Sequence, residues 1–97
     1  MTTIVTLYSV QLCEPCRALK TALTEANIPY LEINLRDVEE IPRKAILKSI
    51  LGVSRAKHAT VPAVHIWIEE EEHWISNHGE TDITSMLAEI KGVLGIT

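Results

Sequence analysis

Cys13 and Cys16 are the only cysteines in the chain, and two residues, Glu14 and Pro15, separate them. A pair so spaced has three chemistries open to it. It can supply two of the four ligands of a structural zinc ion. It can sit inert, as small buried hydrophobes. Or it can cycle between dithiol and disulfide. The other metal-ligand candidates are His58, His65, His73, His78 and the carboxylates, and none has the paired spacing of a zinc module. No metal ligands are assigned within the chain, and the redox reading is favoured.

What surrounds the pair supports that reading. A helix is predicted from Glu14, so Cys13 falls at its N-cap. Unpaired N–H groups and the helix dipole stabilise negative charge there. A cap side chain accepts a hydrogen bond from the second or third helical residue. Pro15 has no N–H, so the donor is Cys16. Cys13 is thereby the expected thiolate, with Cys16 held beside it under the first turn. Thiols in such places have pKa values from ~3.5 to ~7.5, against about 8.5 for a free thiol. Glu14 opposes the ionisation and Arg17 assists it. The expected chemistry is attack by Cys13 on a disulfide, then displacement of the product by Cys16.

The elements that must position the pair follow from periodicity. TIVTLY (Thr3–Tyr8) is rich in β-branched residues and reads as a strand. Ala18, Leu19, Ala22, Leu23 and Ala26 recur at helical spacing, and Asn27 with Ile28-Pro29 marks the stop. YLEINL (Tyr30–Leu35) alternates, with Leu31, Ile33 and Leu35 expected on the covered side of a strand near a sheet edge. A second helix is predicted over Glu39–Leu51, burying Ile46, Leu47, Ile50 and Leu51, with Gly52 as its stop. Pro42 fits it only in the first turn. VSRAKHAT (Val53–Thr60) reads as a loop, VPAVHIWI (Val61–Ile68) as an interior strand and HWIS (His73–Ser76) as its hairpin partner. EEEE (Glu69–Glu72) lacks the Gly or Asn of tight hairpins and reads as a solvated tip. Asp82–Leu94 is the last helix, with Thr81 as N-cap and Ile83, Met86, Leu87, Ile90 and Leu94 on one face. The order is β-α-β-α-β-β-α, one α/β domain over residues 1–97.

Composition sets the outer bounds. The 97 residues suit a single core, and 46% of them are hydrophobic, mostly Ile, Leu and Val with no Phe. Nine Lys and Arg against thirteen Asp and Glu give a formal charge of −4, which argues against broad nucleic-acid or anionic-membrane surfaces. No apolar run reaches the roughly 20 residues of a membrane helix. MTTIVTLYSV lacks an export leader's pattern, so a cytoplasmic location is expected. Structural disulfides are rare in that compartment and catalytic ones do occur.

The leading strand, Y-S-x-x-x-C-E-P-C (Tyr8–Cys16), the element order and T-V-P (Thr60–Pro62) together resemble the glutaredoxin branch of the thioredoxin-like superfamily, over almost the whole chain. The resemblance implies a thioredoxin fold, a four-stranded mixed sheet flanked by three helices, and thiol–disulfide oxidoreductase activity through Cys13 and Cys16. It implies a cis Val61-Pro62 bond facing the cysteines, where Thr60, Val61 and Pro62 contact substrate and the Val61 backbone receives it like an added strand. In HGETDI (His78–Ile83) it implies that Gly79, Thr81 and Asp82 shape a glutathione site, the last two holding its carboxylate and amine at a helix N-terminus. A plain helix cap is the other reading of Thr81. His78 replaces a family glycine, Val10-Gln11 replaces a frequent Lys-Pro, and proline takes its thioredoxin position in Cys-Glu-Pro-Cys. Arg55 or Lys57 offers a substitute charge, with solvated surface as the simpler role. His65 and Trp67 share a strand face, and Tyr8 packs beside the motif.

Glutathione is thus the expected reductant or cosubstrate, with no tightly bound cofactor. The expected substrates are disulfide-containing proteins, a ribonucleotide reductase among them, and the protein is expected to be a monomer. A redoxin reduced by thioredoxin reductase is the alternative. A non-catalytic thioredoxin-fold binding module or a metal-bridged dimer is the reading from another class.

Overall fold

The computed structural model describes residues 3–53, 61–76 and 83–96. Four strands, β1 (Thr3–Ser9), β2 (Leu31–Asn34), β3 (Ala63–Ile68) and β4 (Glu71–Ser76), form one sheet in the order β2-β1-β3-β4. β1 runs parallel to β2 and antiparallel to β3, and β3 runs antiparallel to β4. Helices α1 (Glu14–Glu25), α2 (Glu40–Val53) and α3 (Ile83–Leu94) complete the thioredoxin-like α/β fold. β1 lies inside the sheet with a neighbour on each side, so its β-branched run is buried from Val5 to Ser9.

α1 is the crossover between the parallel pair. Cys16, Leu19 and Leu23 are its buried residues, three and four positions apart on one face, while Ala18 is exposed. It ends because Asn27 takes φ 58, a left-handed conformation that Asn tolerates. The Ile28 N–H then bonds back to the Leu23 carbonyl at 2.9 Å, satisfying an otherwise orphaned acceptor. α3 ends the same way, with Gly95 at φ 75 and the Ile96 N–H on the Lys91 carbonyl at 2.9 Å.

Apolar packing divides between the two faces of the sheet. One face carries Val5, Leu7, Val64 and Ile66 against Leu19 and Leu23 of α1 and Met86 and Ile90 of α3, an aliphatic core. The other holds Tyr8, Leu35, Ile50 and Ala63, with Val10, Ile33, Ile46, Leu47, Val61 and Trp74 packed around them.

Several boundaries differ from expectation, each for a local reason. β2 stops at Asn34, whose side chain accepts the Arg36 N–H at 2.9 Å and opens a single 3-10 turn, Leu35–Asp37. That turn, rather than strand alternation, buries Leu35. Leu31 is exposed, since it lies on an edge strand and belongs to neither core cluster. α2 runs through Gly52 to Val53, because a helix passes a glycine at a cost of only about 1 kcal/mol. Leu51 in it is exposed. Pro42 does fall in the first turn, where its missing N–H has no intrahelical partner to lose.

The acidic segment is also tighter than expected. Glu69 and Glu70 alone make the turn, at φ 48 and 69, and Glu71 and Glu72 belong to β4, with Ile68 paired to Glu71. Two positive φ values are what a two-residue hairpin of the I′ kind needs to match strand twist, so carboxylates stand where Asn-Gly usually would. No helix among the described residues is long and apolar enough to cross a membrane.

Candidate active site

β1 delivers the chain to one end of the sheet, and four residues separate its last residue, Ser9, from α1: Val10, a turn at Gln11-Leu12, and Cys13. Cys13 is the N-cap, with extended backbone (φ −105, ψ 104), followed by Glu14, Pro15 and Cys16 as the first three helical residues. Its Sγ accepts the Cys16 N–H at 3.1 Å, and its carbonyl accepts the Arg17 N–H at 3.2 Å. The proline that removes one donor thus directs the other, as the cap argument requires.

Cys13 and Cys16 are joined in a disulfide, with Cα atoms 5.2 Å apart. The two sulfurs are unequally placed. Cys16 is 2% exposed and packed beneath the helix, while Cys13 is partly open to solvent. An incoming sulfur nucleophile therefore meets Cys13 first.

The turn before it is unusual. Leu12 has φ 57 and is 98% exposed. A left-handed conformation costs an L-residue other than Gly or Asn roughly 1–2 kcal/mol. Beside Leu12, Gln11 Oε1 accepts a long hydrogen bond from Arg36 Nη1 at 3.5 Å, so the 3-10 turn after β2 reaches the cysteine loop.

The Val61-Pro62 bond is cis. Ala63, the next residue, pairs with Tyr8, and so the cis bond sits at the same end of adjacent strands as the cysteine loop. Packing joins the two segments. Val10, ahead of the cysteines, and Val61, ahead of Pro62, both rest on the Tyr8–Leu35–Ile50–Ala63 cluster. Tyr8 stacks on Trp74 at 5.7 Å between ring centroids, and burial pushes its phenol pKa up. Trp74 also meets His65 at 4.6 Å, and His65 Nε2 lies 3.0 Å from Glu72 Oε2. His65 thus packs against partners from β4, while Trp67 on the same face is exposed.

A polar tie fixes α1 to the sheet one turn beyond Cys16. Ser9 Oγ and Lys20 Nζ both donate to Glu32 Oε2, at 2.9 and 3.0 Å. Lys20 first, and Ser9 second, hold the Glu32 carboxyl below the usual carboxylate range. Ser9 is buried while Lys20 and Glu32 are partly open, so the pair is worth at most about 1 kcal/mol.

Of the residues expected at the site, the structure brings Cys13, Cys16, Val61 and Pro62 to one end of the sheet. Thr60, Gly79, Thr81 and Asp82 lie outside the described residues, as do Arg55, Lys57, His58 and His78. Periodicity did not reveal Leu12's conformation, the Gln11–Arg36 contact or the Ser9–Glu32–Lys20 tie. The last joins residues 23 and 12 positions apart, for which a single sequence carries no signal.

A family model described as Glutaredoxin matches residues 5–74, well over half of the chain. No curated protein matches the chain by sequence. Among solved structures, the glutaredoxin (grx-1) from Archaeoglobus fulgidus aligns at TM-score 0.55 and 14% identity, covering 96% of this chain and 87% of that one. Thioredoxin f2 from Chlamydomonas reinhardtii aligns at TM-score 0.59 and 13% identity, over 99% of this chain and 82% of that one. Thioredoxin O2 from Arabidopsis thaliana, in its oxidised state, aligns at TM-score 0.51 and 18% identity, over 95% and 74%. At these identities the structural likenesses carry the fold alone.

Proposed function

The chain belongs to the glutaredoxin family and carries its C-x-x-C disulfide, as befits a thiol–disulfide oxidoreductase; from that premise we propose that Cys13 is the nucleophile, Cys16 the resolving thiol and glutathione the reductant. The observation that carries the division of labour is the unequal placement of the sulfurs. Cys13 is partly open and its Sγ receives the Cys16 N–H at 3.1 Å, while Cys16 is buried behind it.

In the reduced protein the same N–H and helix terminus favour the Cys13 thiolate. It attacks one sulfur of a substrate disulfide. A Cys13–substrate bond forms, the substrate S–S bond breaks, and the departing thiolate takes a proton. Cys16 then loses its proton and attacks Cys13 Sγ. The mixed disulfide breaks, the second substrate thiolate leaves and is protonated, and the Cys13–Cys16 bond closes. Two electrons pass to the substrate. Two glutathione thiols restore the dithiol by the reverse exchange and leave as glutathione disulfide. Disulfide-bearing proteins, such as a ribonucleotide reductase, are the substrates the family relationship suggests, and Pro62 borders their approach. Gly79, Thr81 and Asp82 remain the proposed glutathione contacts.

One observation favours a second reductant. Many relatives carry a cation at the position of Val10, and here that side chain packs into the core cluster. A redoxin recharged by thioredoxin reductase has no need of that charge. Turnover of a protein disulfide, measured in parallel with glutathione plus glutathione reductase and with thioredoxin reductase, tests the two. Activity with glutathione is expected, and activity with thioredoxin reductase alone would overturn it. Cys13→Ser should lose all turnover. Cys16→Ser should retain exchange with glutathione mixed disulfides, which need one sulfur only. The reverse pattern would exchange the assigned roles.

A further inference from the structure

Leu12 lies in the turn that carries the chain from β1 to the Cys13 cap, and nothing in the fold asks for a leucine there. Its side chain is almost wholly in water, and its backbone at φ 57 suits Gly or Asn far better than a branched residue. It belongs to neither core cluster, and the helix cap is made by the next residue. Among the described residues, the other non-glycine positive φ values fall at Asn27, which tolerates them and closes α1, and at Glu69 and Glu70, whose charged side chains are solvated in the hairpin turn. A turn that Gly or Asn would make with less strain, filled instead by an exposed apolar side chain beside a reactive group, points to a role outside the fold.

Geometry limits what that function is. Cys16 is buried, so a molecule bonded through sulfur to this site is bonded to Cys13. Its Cα lies ~3.8 Å from that of Leu12, across one peptide unit. Whatever flanks the bonded cysteine of a substrate is therefore brought to the Leu12 side chain. The exposed charges just beyond, Glu14 and Arg17, are 3.7 Å apart and of opposite sign, so they offset each other. Arg36 is turned onto Gln11, and the Leu12 side chain is the apolar surface left beside Cys13.

We propose that Leu12 is a specificity-determining residue, an apolar contact for the side chain next to the bonded cysteine of a polypeptide disulfide. Resting on the reading of Cys13 as nucleophile, this makes polypeptides with an apolar neighbour to that cysteine the preferred substrate class. Removing the Leu12 side chain from water on contact supplies the preference. Glutathione, whose cysteine is flanked by a γ-glutamyl unit and a glycine, gains nothing from it.

The test compares two peptide disulfides that differ only in Leu or Ser beside the reacting cysteine, with the full chain and the reductant that supports turnover. The wild type should favour the Leu peptide in kcat/KM by about tenfold. Leu12→Asn should bring the ratio near one, Leu12→Gly likewise, and Leu12→Met should restore it. Leu12→Asn should also raise the Tm of the oxidised protein by about 4–8 °C, through relief of the left-handed strain. A ratio that survives Leu12→Asn and Leu12→Gly overturns the proposal, as does a wild type that turns over both peptides equally. Turnover of neither peptide overturns the Cys13 reading and takes this inference with it.

Discussion

At one end of the sheet, where β1 finishes, Leu12 sits at φ 57 beside a disulfide; at the other, where β3 turns into β4, Glu69 and Glu70 sit at φ 48 and 69. Both ends use the same costly backbone region without a glycine. At the hairpin end the reason is contained in the fold, since the two-residue connection of the I′ kind, which matches the twist of the antiparallel strands, has positive φ at both residues. The side chains there are carboxylates that water solvates. At the cysteine end the strained side chain is apolar and exposed, next to the one sulfur that solvent reaches. A strained residue is explained by its company. Both positions lie in turns; where the residue filling the turn is a solvated carboxylate, structure suffices, and where it is an exposed apolar side chain beside a reactive sulfur, a partner outside the chain is implied.

If that contrast holds, changes at the cysteine end move activity, and changes at the hairpin end move stability alone. The largest effect is expected from Cys13→Ser, which should cut disulfide turnover by at least ~10³-fold, because its hydroxyl does not ionise to a nucleophile at neutral pH. Turnover assays with insulin would show it, and residual activity near the wild-type level would end the distinction between the ends. Leu7→Ala probes what both ends share. Leu7 is fully buried in the aliphatic core under β1, and its truncation should cost about 2–5 kcal/mol, read as a lower urea midpoint.

Smaller effects sharpen the contrast. Glu69→Asn with Glu70→Gly should stabilise the protein by about 1–2 kcal/mol, by relieving two left-handed residues. Turnover should not change, and a drop in kcat would give the acidic hairpin a functional role that the contrast denies it. The smallest effect concerns the tie behind the cysteines. Because the Glu32 carboxyl is held below its usual range, its contribution is present above the unfolded pKa, ~4.3, and is lost as pH falls through the lower folded value. Glu32→Gln should flatten the stability-versus-pH curve below about pH 4.3 and change stability at pH 7 by less than about 1 kcal/mol. Urea melts across pH 2–7 check this, and an acid limb identical to wild type would remove the tie from the account.

Much of the fold was legible because its signals are local. The placement of Cys13 at the N-cap depends on four consecutive residues, and Pro15 alone directs the donor to Cys16. Asn27, the β-branched run of β1 and the spacing of Leu19 and Leu23 are similarly self-contained. Other features depended on partners. Leu31 alternates correctly with Ile33 yet stays exposed, because only tertiary packing decides which part of an edge strand is covered. The Glu69-Glu70 turn defied turn chemistry because the paired register of β3 and β4 leaves just two residues to connect them. Ser9, Lys20 and Glu32 meet only once α1 has crossed from β1 to β2.

From the chain alone came the reactive pair, the cap that differentiates its two sulfurs and the order of strands and helices. Each follows from backbone hydrogen bonding and periodicity over a few residues. Tertiary structure decided which sulfur meets solvent, how Val10 and Val61 are brought onto one apolar cluster, and that Leu12 is held turned outward. Those outcomes depend on how distant segments exclude water from one another, a balance that no local stretch carries within itself.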